Sequence, residues 1–488
     1  NPRGFDMADR PIVVLFHRDL RTEDNPALLS ASETGAPVIP LYIEDNEAAG
    51  DWVIGGASRW WLHHSLVALQ KSLEALGSPL VLRAGTSVDV LKDLASSHDI
   101  AAIYMSRGYE PWVRSREEKV HEAFASNGVE VKRFQARLLL DPDHIRTKTG
   151  AIYKVYTPFW RALSAKGARP PVAAPEHLKA PDTAIESDRL ENWNLLPTKP
   201  DWSGGFTPLW QPGSPGAAQR FETFLDDHLH NYDELRNRPD LPGTSRLSPH
   251  FQFGEISPAA CFETVSRIHA DDKKRATGAE TFLKELVWRE FSYHLLYHFP
   301  HLPVAPFKEQ FNDFPWREDE GSLKAWQRGQ TGYPIVDAGM RELYATGWMH
   351  NRVRMIVGSF LTKNLLLPWQ LGEAWFWDCL VDADLASNSA SWQWVSGSGA
   401  DAAPYFRIFN PVSQSERYDP DGDYIRRWVP ELAALSKKDI HAPWEAPQLA
   451  LRQAGVELGV GYPQPIVDHK KTRQRALDAY EEIKLKAS

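Results

Sequence analysis

Cysteine is nearly absent from this 488-residue chain, which holds only Cys261 and Cys379. Two thiols leave no disulfide framework and no cysteine-ligated zinc or iron–sulfur centre, so no metal is expected. They fit a reducing, cytoplasmic setting. No apolar run is long enough to span a bilayer, and Met7 is not followed by a signal-peptide pattern, so no membrane partner is expected. The residues ahead of Met7 read as an expression remnant. Positive charge is not in excess, because 55 Lys and Arg face 64 Asp and Glu for a net charge of −9. Taken alone that sum argues against nucleic acid, although a basic groove can sit on an acidic protein. Internal repeats and low-complexity tracts are missing too.

What the chain has in excess is tryptophan, 19 residues in all. Carbohydrate surfaces, nucleic-acid stacking sites and electron-transfer chains would each explain it, and position must decide between them. From Arg10 to about Arg137, short apolar runs alternate with helical stretches. Residues 12–16, 38–43, 80–82, 101–105 and 129–134 read as strands; 58–76, 87–97 and 113–126 read as helices. That alternation predicts a doubly wound parallel sheet over 7–137. No G-x-G-x-x-G follows the first strand, which disfavours a standard dinucleotide site, but a ligand can still lie at the carboxyl ends of the strands. Glu44 and Glu110 stand there as polar candidates beside a plain solvated reading. Nine of the 36 prolines lie between Pro170 and Pro215, so 138–215 reads as a linker. Helical periodicity dominates 216–488, which predicts an all-α second domain.

Within that half, residues 375–411 concentrate tryptophans, the acids Asp382 and Asp384, and a glycine–serine loop. A helix from Asp384 would place Asn388 and Trp392 at i+4 and i+8, on one face. Carboxylate, neutral amide and indole together suit a planar, hydrogen-bonding, redox-active ring. Core packing for the tryptophan and capping for the acid are the plain alternatives. Glu285, Trp288 and Arg289 share another helix face, either as an ion pair with a packed indole or as a carboxylate beside a platform for an extruded base. Asn351, Arg354 and Met355 share a third, with Arg352 pointing elsewhere and Arg354 a natural partner for Asp382 or Asp384. Tyr232 precedes Thr244, Ser245, Arg246, Leu247 and Ser248, a stretch able to offer hydroxyls, N–H groups and a guanidinium to phosphate.

These residues fall in motifs that occur in a recognisable order. FHRDLRTEDNPAL (16–28), TSRLS (244–248), WRE (288–290), TGYPIVDAGM (331–340), GWMHNRVRM (347–355), DADLASN (382–388), WQW (392–394) and DAAPYFRIFNP (401–411) together resemble the DNA photolyase/cryptochrome family. The resemblance implies an N-terminal α/β antenna domain, a linker and a helical domain that holds FAD above an opening for a flipped pyrimidine dimer. It assigns Tyr232, Thr244, Ser245, Arg246, Leu247, Ser248, Arg289, Arg354, Asp382, Ala383, Asp384 and Asn388 to FAD. Glu285, Trp288, Asn351, Met355 and Trp394 would line the lesion pocket. Trp392, Trp369 and Trp316 would relay electrons, and Arg352, Arg407 and Gln414, with Glu285, Trp288, Arg289 and Asn351, would meet DNA. Phe282 and His17 depart from residues common in the family.

Branch follows from chemistry. Repair of 6–4 photoproducts would place histidines where Asn351 and Met355 stand, and neither residue can act as an acid. Plant-type cryptochromes tend to carry Asp at the position of Asn388 and to lose the tryptophan at 288. The resemblance therefore implies light-dependent repair of cyclobutane dimers in UV-damaged DNA by a monomer, with a cryptochrome-like photoreceptor as the alternative. 5,10-Methenyltetrahydrofolate is the expected antenna and 8-hydroxy-5-deazaflavin the second choice. A tryptophan-rich carbohydrate-binding protein without flavin is the rival from another class.

Overall fold

A computed structural model describes residues 10–487; the stretch before Met7 lies outside them. Two compact units are present. The first runs to Asp201 and also takes in Trp210–Asp227 and Ser245–Pro300. Its sheet consists of β1 (Ile12–Phe16), β2 (Val38–Glu44), β3 (Val81–Ala84), β4 (Ala102–Ser106) and β5 (Glu130–Phe134) in the order β3-β2-β1-β4-β5, with every pairing parallel. The expected strands are all present, within a residue or two at their ends. Ile12 pairs with Val38 on one side and Ala102 on the other, so β1 is central, and all five of its residues are buried as a two-sided parallel strand requires. β5 closes the edge with the polar sequence EVKRF, which blunts an unpaired strand edge.

Helices α1 (Pro26–Glu33), α2 (Gly56–Leu76), α3 (Ser87–His98) and α4 (Pro111–Phe124) cross between strands. Asn25 caps α1 and Thr86 caps α3 through side-chain oxygens. Val90, Leu91 and Leu94 of α3 join Val120 and Phe124 of α4 against Val13, Ile39 and Ile103 of the sheet. Each fully buried aliphatic side chain of this kind contributes about 1.5–3 kcal/mol.

One element departs from the expected linker. Within 138–215, α5 (Tyr156–Lys166) is a regular helix. Tyr156, Phe159 and Leu163 are its buried face at i, i+3 and i+7, and Pro158 falls in the first turn, where its missing N–H costs nothing. This unit also holds α6 (Ser248–Phe253), α7 (Pro258–Asp271) and α8 (Ala276–His298). They belong with the sheet because polar contacts tie them there: Trp61 donates to Glu255 (2.9 Å) and the Leu139 N–H to Glu290 (2.9 Å).

The second unit comprises Trp202–Leu209, His228–Thr244 and the chain from His301 on, and is helical as expected. Its main helices are α9 (Glu320–Gln327), α10 (Pro334–Thr346), α11 (Asn351–Ser359), α12 (Trp369–Cys379), α13 (Leu385–Ser396), α14 (Pro411–Tyr418) and α15 (His469–Ala487). Gly347 ends α10 at φ 70°, and a Cβ there would come within 2.8 Å of the Phe206 ring, so the turn needs glycine. Three residues on, His350 starts α11 by accepting the Arg352 N–H at Nδ1 (3.1 Å). That tight turn sets the direction in which Asn351, Arg354 and Met355 leave the backbone.

Candidate functional site

The residues singled out by pattern fall into two sets, one in each unit. In the second unit, Arg354 makes the expected pair with Asp382, its two terminal nitrogens reaching the carboxylate at 3.2 and 2.7 Å while Nε donates to the Met349 carbonyl at 2.7 Å. Bidentate geometry fixes the guanidinium plane. Asp384 accepts the Ser387 N–H at 2.7 Å, so it is the cap of α13, and the plain capping reading is true of one of its oxygens. Asn388 lies buried one turn in and donates from Nδ2 to the Glu373 carbonyl (3.0 Å). Carboxylates, a guanidinium and a neutral amide are thus held on α11, α13 and the loop between α12 and α13.

Trp392 is the third member of that α13 face. Its indole packs against α12 at Gly372, where a Cβ would meet the ring at 2.1 Å. Trp369 opens α12 one turn before Gly372, so its side chain leaves from the same helical face. Trp316 is tied to the same region, because the Arg317 N–H donates to the Leu366 carbonyl at 2.8 Å. Trp392 and Trp369 are buried, and Trp316 is half-buried against Phe314 (4.3 Å between ring centroids). Trp394 is half-buried too. Between Trp392 and Trp394, Gln393 pins the 302–307 loop, donating to Leu302 and Ala305 and accepting from the Phe307 N–H.

On α11, Asn351 is exposed and Met355 half-buried. The expectation that Arg352 points away from Met355 is corrected: its Nη1 lies 3.6 Å from Met355 Sδ, Nε donates to Asn237 at 2.9 Å, and the guanidinium covers the Tyr418 ring at 4.8 Å. The i, i+3 relation makes them neighbours as readily as i, i+4. Arg407 is exposed, Gln414 half-buried and Tyr232 buried. Ahead of Thr244, a Cβ on Gly243 would meet the Leu235 carbonyl at 2.6 Å, so only glycine brings the chain past that point.

In the first unit, Arg246 adopts φ 50°, a left-handed conformation costing about 1–2 kcal/mol without glycine. The Ser245 Oγ accepts the Leu247 N–H (3.4 Å). Burial, with the charge of Arg246 added to it, lowers Arg220 to about 10. Two mutually repelling guanidinium groups beside TSRLS make the spot favourable for an anion. Glu285 and Trp288 are half-buried on α8. Arg289 donates to the Arg137 carbonyl (3.1 Å) and to Glu290 (3.3 Å), and lies over the Tyr293 ring at 4.9 Å. Trp288 stacks face to face on Tyr156, centroids 3.6 Å apart and planes within 4°.

Of the two strand-end carboxylates, Glu110 is engaged by Arg137 in a buried bidentate pair at 2.8 Å. Burial would raise its carboxyl, but the Arg137 guanidinium outweighs that and holds it at about 2. Glu44 is half-buried, and burial raises it above the ordinary carboxylate range. His17, in edge contact with Trp112 (5.3 Å), is pushed down by burial and by the charges of Arg116, Arg18 and Arg137. Among the described residues no group of His, Cys, Asp or Glu is placed to hold a metal, and no helix is long and apolar enough to cross a membrane.

Pattern reading misses Glu373. It is buried on α12, accepts the Ser389 hydroxyl at 2.6 Å, and its own carbonyl anchors Asn388. Burial raises its carboxyl to about 8, with the Ser389 hydrogen bond opposing. A folded pKa above the unfolded value of about 4.3 means that the stability tied to this proton is complete below pH of about 4 and is lost as pH rises through 8. Glu373→Gln, which stays neutral, is therefore expected to flatten the fall in stability between about pH 5 and pH 8, by roughly 3–5 kcal/mol at the alkaline end. Urea unfolding at the two ends of that window checks it.

The donor set fits FAD. Trp392 Nε1 is buried and has no partner among the described residues, a donor open to a group from outside the chain. The carboxylates and guanidinium of the second unit are groups of the kind that the polar edge of a flavin would bind. Comparison with known proteins gives the same answer. The DNA photolyase family matches residues 12–177, and the FAD binding domain of DNA photolyase matches residues 282–482. The chain is 51% identical to a deoxyribodipyrimidine photo-lyase of Agrobacterium fabrum over 97% of its length and 98% of that protein's. It is 36% identical to cryptochrome-1 of Arabidopsis thaliana, covering 96% of this chain and 70% of that one. The crystal structure of a bacterial class III photolyase from Agrobacterium tumefaciens superposes with a TM-score of 0.95 at 50% identity, covering 99% of this chain and all of that one. Sheet, helical unit, donor set and sequence agree that this chain belongs to the DNA photolyase/cryptochrome family.

Proposed function

We infer that this protein is a deoxyribodipyrimidine photo-lyase that repairs cyclobutane pyrimidine dimers in UV-damaged DNA under blue light. The observation that carries the reading is the chemistry of α11: Asn351 is exposed and Met355 half-buried, and neither can protonate a substrate. A dimer whose ring opens by electron transfer alone suits such a surface; a photoproduct needing an acid does not. The 51% identity with the Agrobacterium fabrum enzyme supports the same choice over a cryptochrome-like photoreceptor.

Bound in its reduced form, FAD supplies the light-driven electron that opens the cyclobutane ring. Around it the chain's residues position and exclude. Asp382, Ala383, Asp384 and Arg354 hold the polar edge of the ring system, and neutral Asn388 sets no negative charge against an electron-rich ring. Tyr232, Thr244, Ser245, Arg246, Leu247, Ser248 and Arg289 serve the phosphate side. Glu285 hydrogen-bonds the extruded base and steadies the charge it gains, with Asn351 assisting. Trp288, Met355 and Trp394 wall the lesion from water, and Arg352, Arg407 and Gln414 meet the DNA backbone. Trp316, Trp369 and Trp392 pass an electron inward when the oxidised protein is illuminated. That two are buried and one reaches the surface supports this order.

An antenna feeds excitation to the site, 5,10-methenyltetrahydrofolate by preference and 8-hydroxy-5-deazaflavin as the alternative, with Glu44 as a contact; the engagement of Glu110 by Arg137 weakens its candidacy. In this reading the α/β antenna domain spans 7–137, the linker 138–215 and the FAD domain 216–488. The protein acts as a monomer in the cytoplasm, where Cys261 and Cys379 remain free thiols. Expression in a bacterial strain lacking both photoreactivation and excision repair tests the function. Survival after ultraviolet exposure should rise under visible light and not in darkness; equal survival in both would contradict it.

A further inference from the structure

We propose that Tyr156 is a positioning residue for lesion recognition, stacking on one face of Trp288 so that the indole is fixed and its opposite face is reserved for the extruded pyrimidine pair. The inference rests on the reading of Trp288 as a wall of the lesion pocket.

The geometry is specific. Tyr156 is the first residue of α5, and its ring lies 3.6 Å from that of Trp288 with the planes 4° apart. Its hydroxyl donates at 2.7 Å to the Lys284 carbonyl, one turn ahead of Trp288 on α8, which ties the Tyr156 ring to that helix. Phe291 meets both rings edge-on at 5.9 Å and 74°. Trp288 is nevertheless only half-buried. With one face covered and one edge abutted, the opposite face is the side a ligand would meet. An aromatic face is what a pyrimidine stacks on, in a manner tolerant of which base arrives.

Docking α5 onto α8 does not require this stack. Phe159 is buried against Phe291 (5.2 Å) and His294 (5.0 Å), and Leu163 is buried as well. What Tyr156 adds is order at Trp288. A large side chain immobilised before binding spares the complex that loss of freedom, which amounts to roughly three- to tenfold in affinity.

The test uses the flavin-loaded protein in darkness and two duplexes that differ only by one thymine dimer. Tyr156→Leu is expected to weaken binding of the dimer duplex about fivefold, with binding of the undamaged duplex and flavin content unchanged. Tyr156→Phe keeps the stack and should bind as the parent does. Trp288→Ala should weaken dimer binding, and adding Tyr156→Leu to it should weaken it no further. If Tyr156→Leu does not accumulate as folded protein, Tyr156→Met replaces it with the same expected readings. Parent-like dimer binding by Tyr156→Leu, beside a clear loss in Trp288→Ala, overturns the inference and leaves the lesion-pocket reading intact. Equal loss on both duplexes also overturns it. No loss in Trp288→Ala overturns the pocket reading itself.

Discussion

Glu285→Ala lowers the light-dependent repair yield by about tenfold while FAD remains bound. Glu285 leaves α8 one turn before Trp288 and is half-buried, a place from which, in the proposed lesion pocket, a carboxylate would meet a base edge while the indole stacks on the plane. The base gains negative charge during ring opening, and hydrogen bonds involving a charged partner contribute about 1.5–3 kcal/mol, which converts to roughly tenfold or more in rate or partition. Removing the side chain leaves Arg289 where it is, since its guanidinium is held by the Arg137 carbonyl and by Glu290. The fold and the flavin should therefore be unaffected. Quantum yield on a dimer oligonucleotide, with flavin absorbance recorded on the same sample, checks both halves of the statement. Unchanged yield would remove Glu285 from the catalytic set.

Trp392→Phe abolishes photoreduction of the oxidised protein and leaves repair by chemically reduced protein intact. The indole is buried against the α12 backbone at Gly372, with Phe376 at 5.0 Å and Trp326 at 6.1 Å. Phenylalanine keeps an aromatic ring in that slot, and because Nε1 has no partner among the described residues, no protein hydrogen bond is broken. The stability cost is about 1–2 kcal/mol for the lost volume. What phenylalanine lacks is an ionisation potential low enough to carry the hole outward. Bleaching of the oxidised flavin band under blue light with a thiol reductant should disappear in the variant. Repair after dithionite reduction should match the parent. Persistent bleaching would mean that another route, Trp326 being the nearest indole in ring contact, carries the electron.

Much of this site is legible in the sequence because its spacing is local. Asp384, Asn388 and Trp392 repeat with the helical period, and α13 does place them as cap, first turn and second turn. The Arg354–Asp382 pair is legible as well, an arginine and an acid each flanked by apolar residues that demand burial. What is not legible depends on contacts distant in sequence. Arg289 is spaced to face Glu285, but the Arg137 carbonyl that receives it arrives from the β5 side of the sheet. Glu373 reads as an ordinary helix acid, and only the approach of Ser389 and the burial around it raise its carboxyl. Tyr156 lies in a proline-flanked stretch that reads as irregular, where the prolines downstream outweigh an apolar spacing of three and seven. The grouping of α6, α7 and α8 with the sheet has no local signal, because side chains such as Trp61 and Glu255 meet only after folding.

The most direct measurement is repair of a synthetic oligonucleotide carrying one thymine dimer by the purified, reduced protein, with its chromophores extracted from the same preparation. The account predicts that FAD is recovered and that the dimer reverts to two thymines under blue light, with no reversal in darkness. A preparation that contains FAD yet leaves the dimer intact in the light would contradict it.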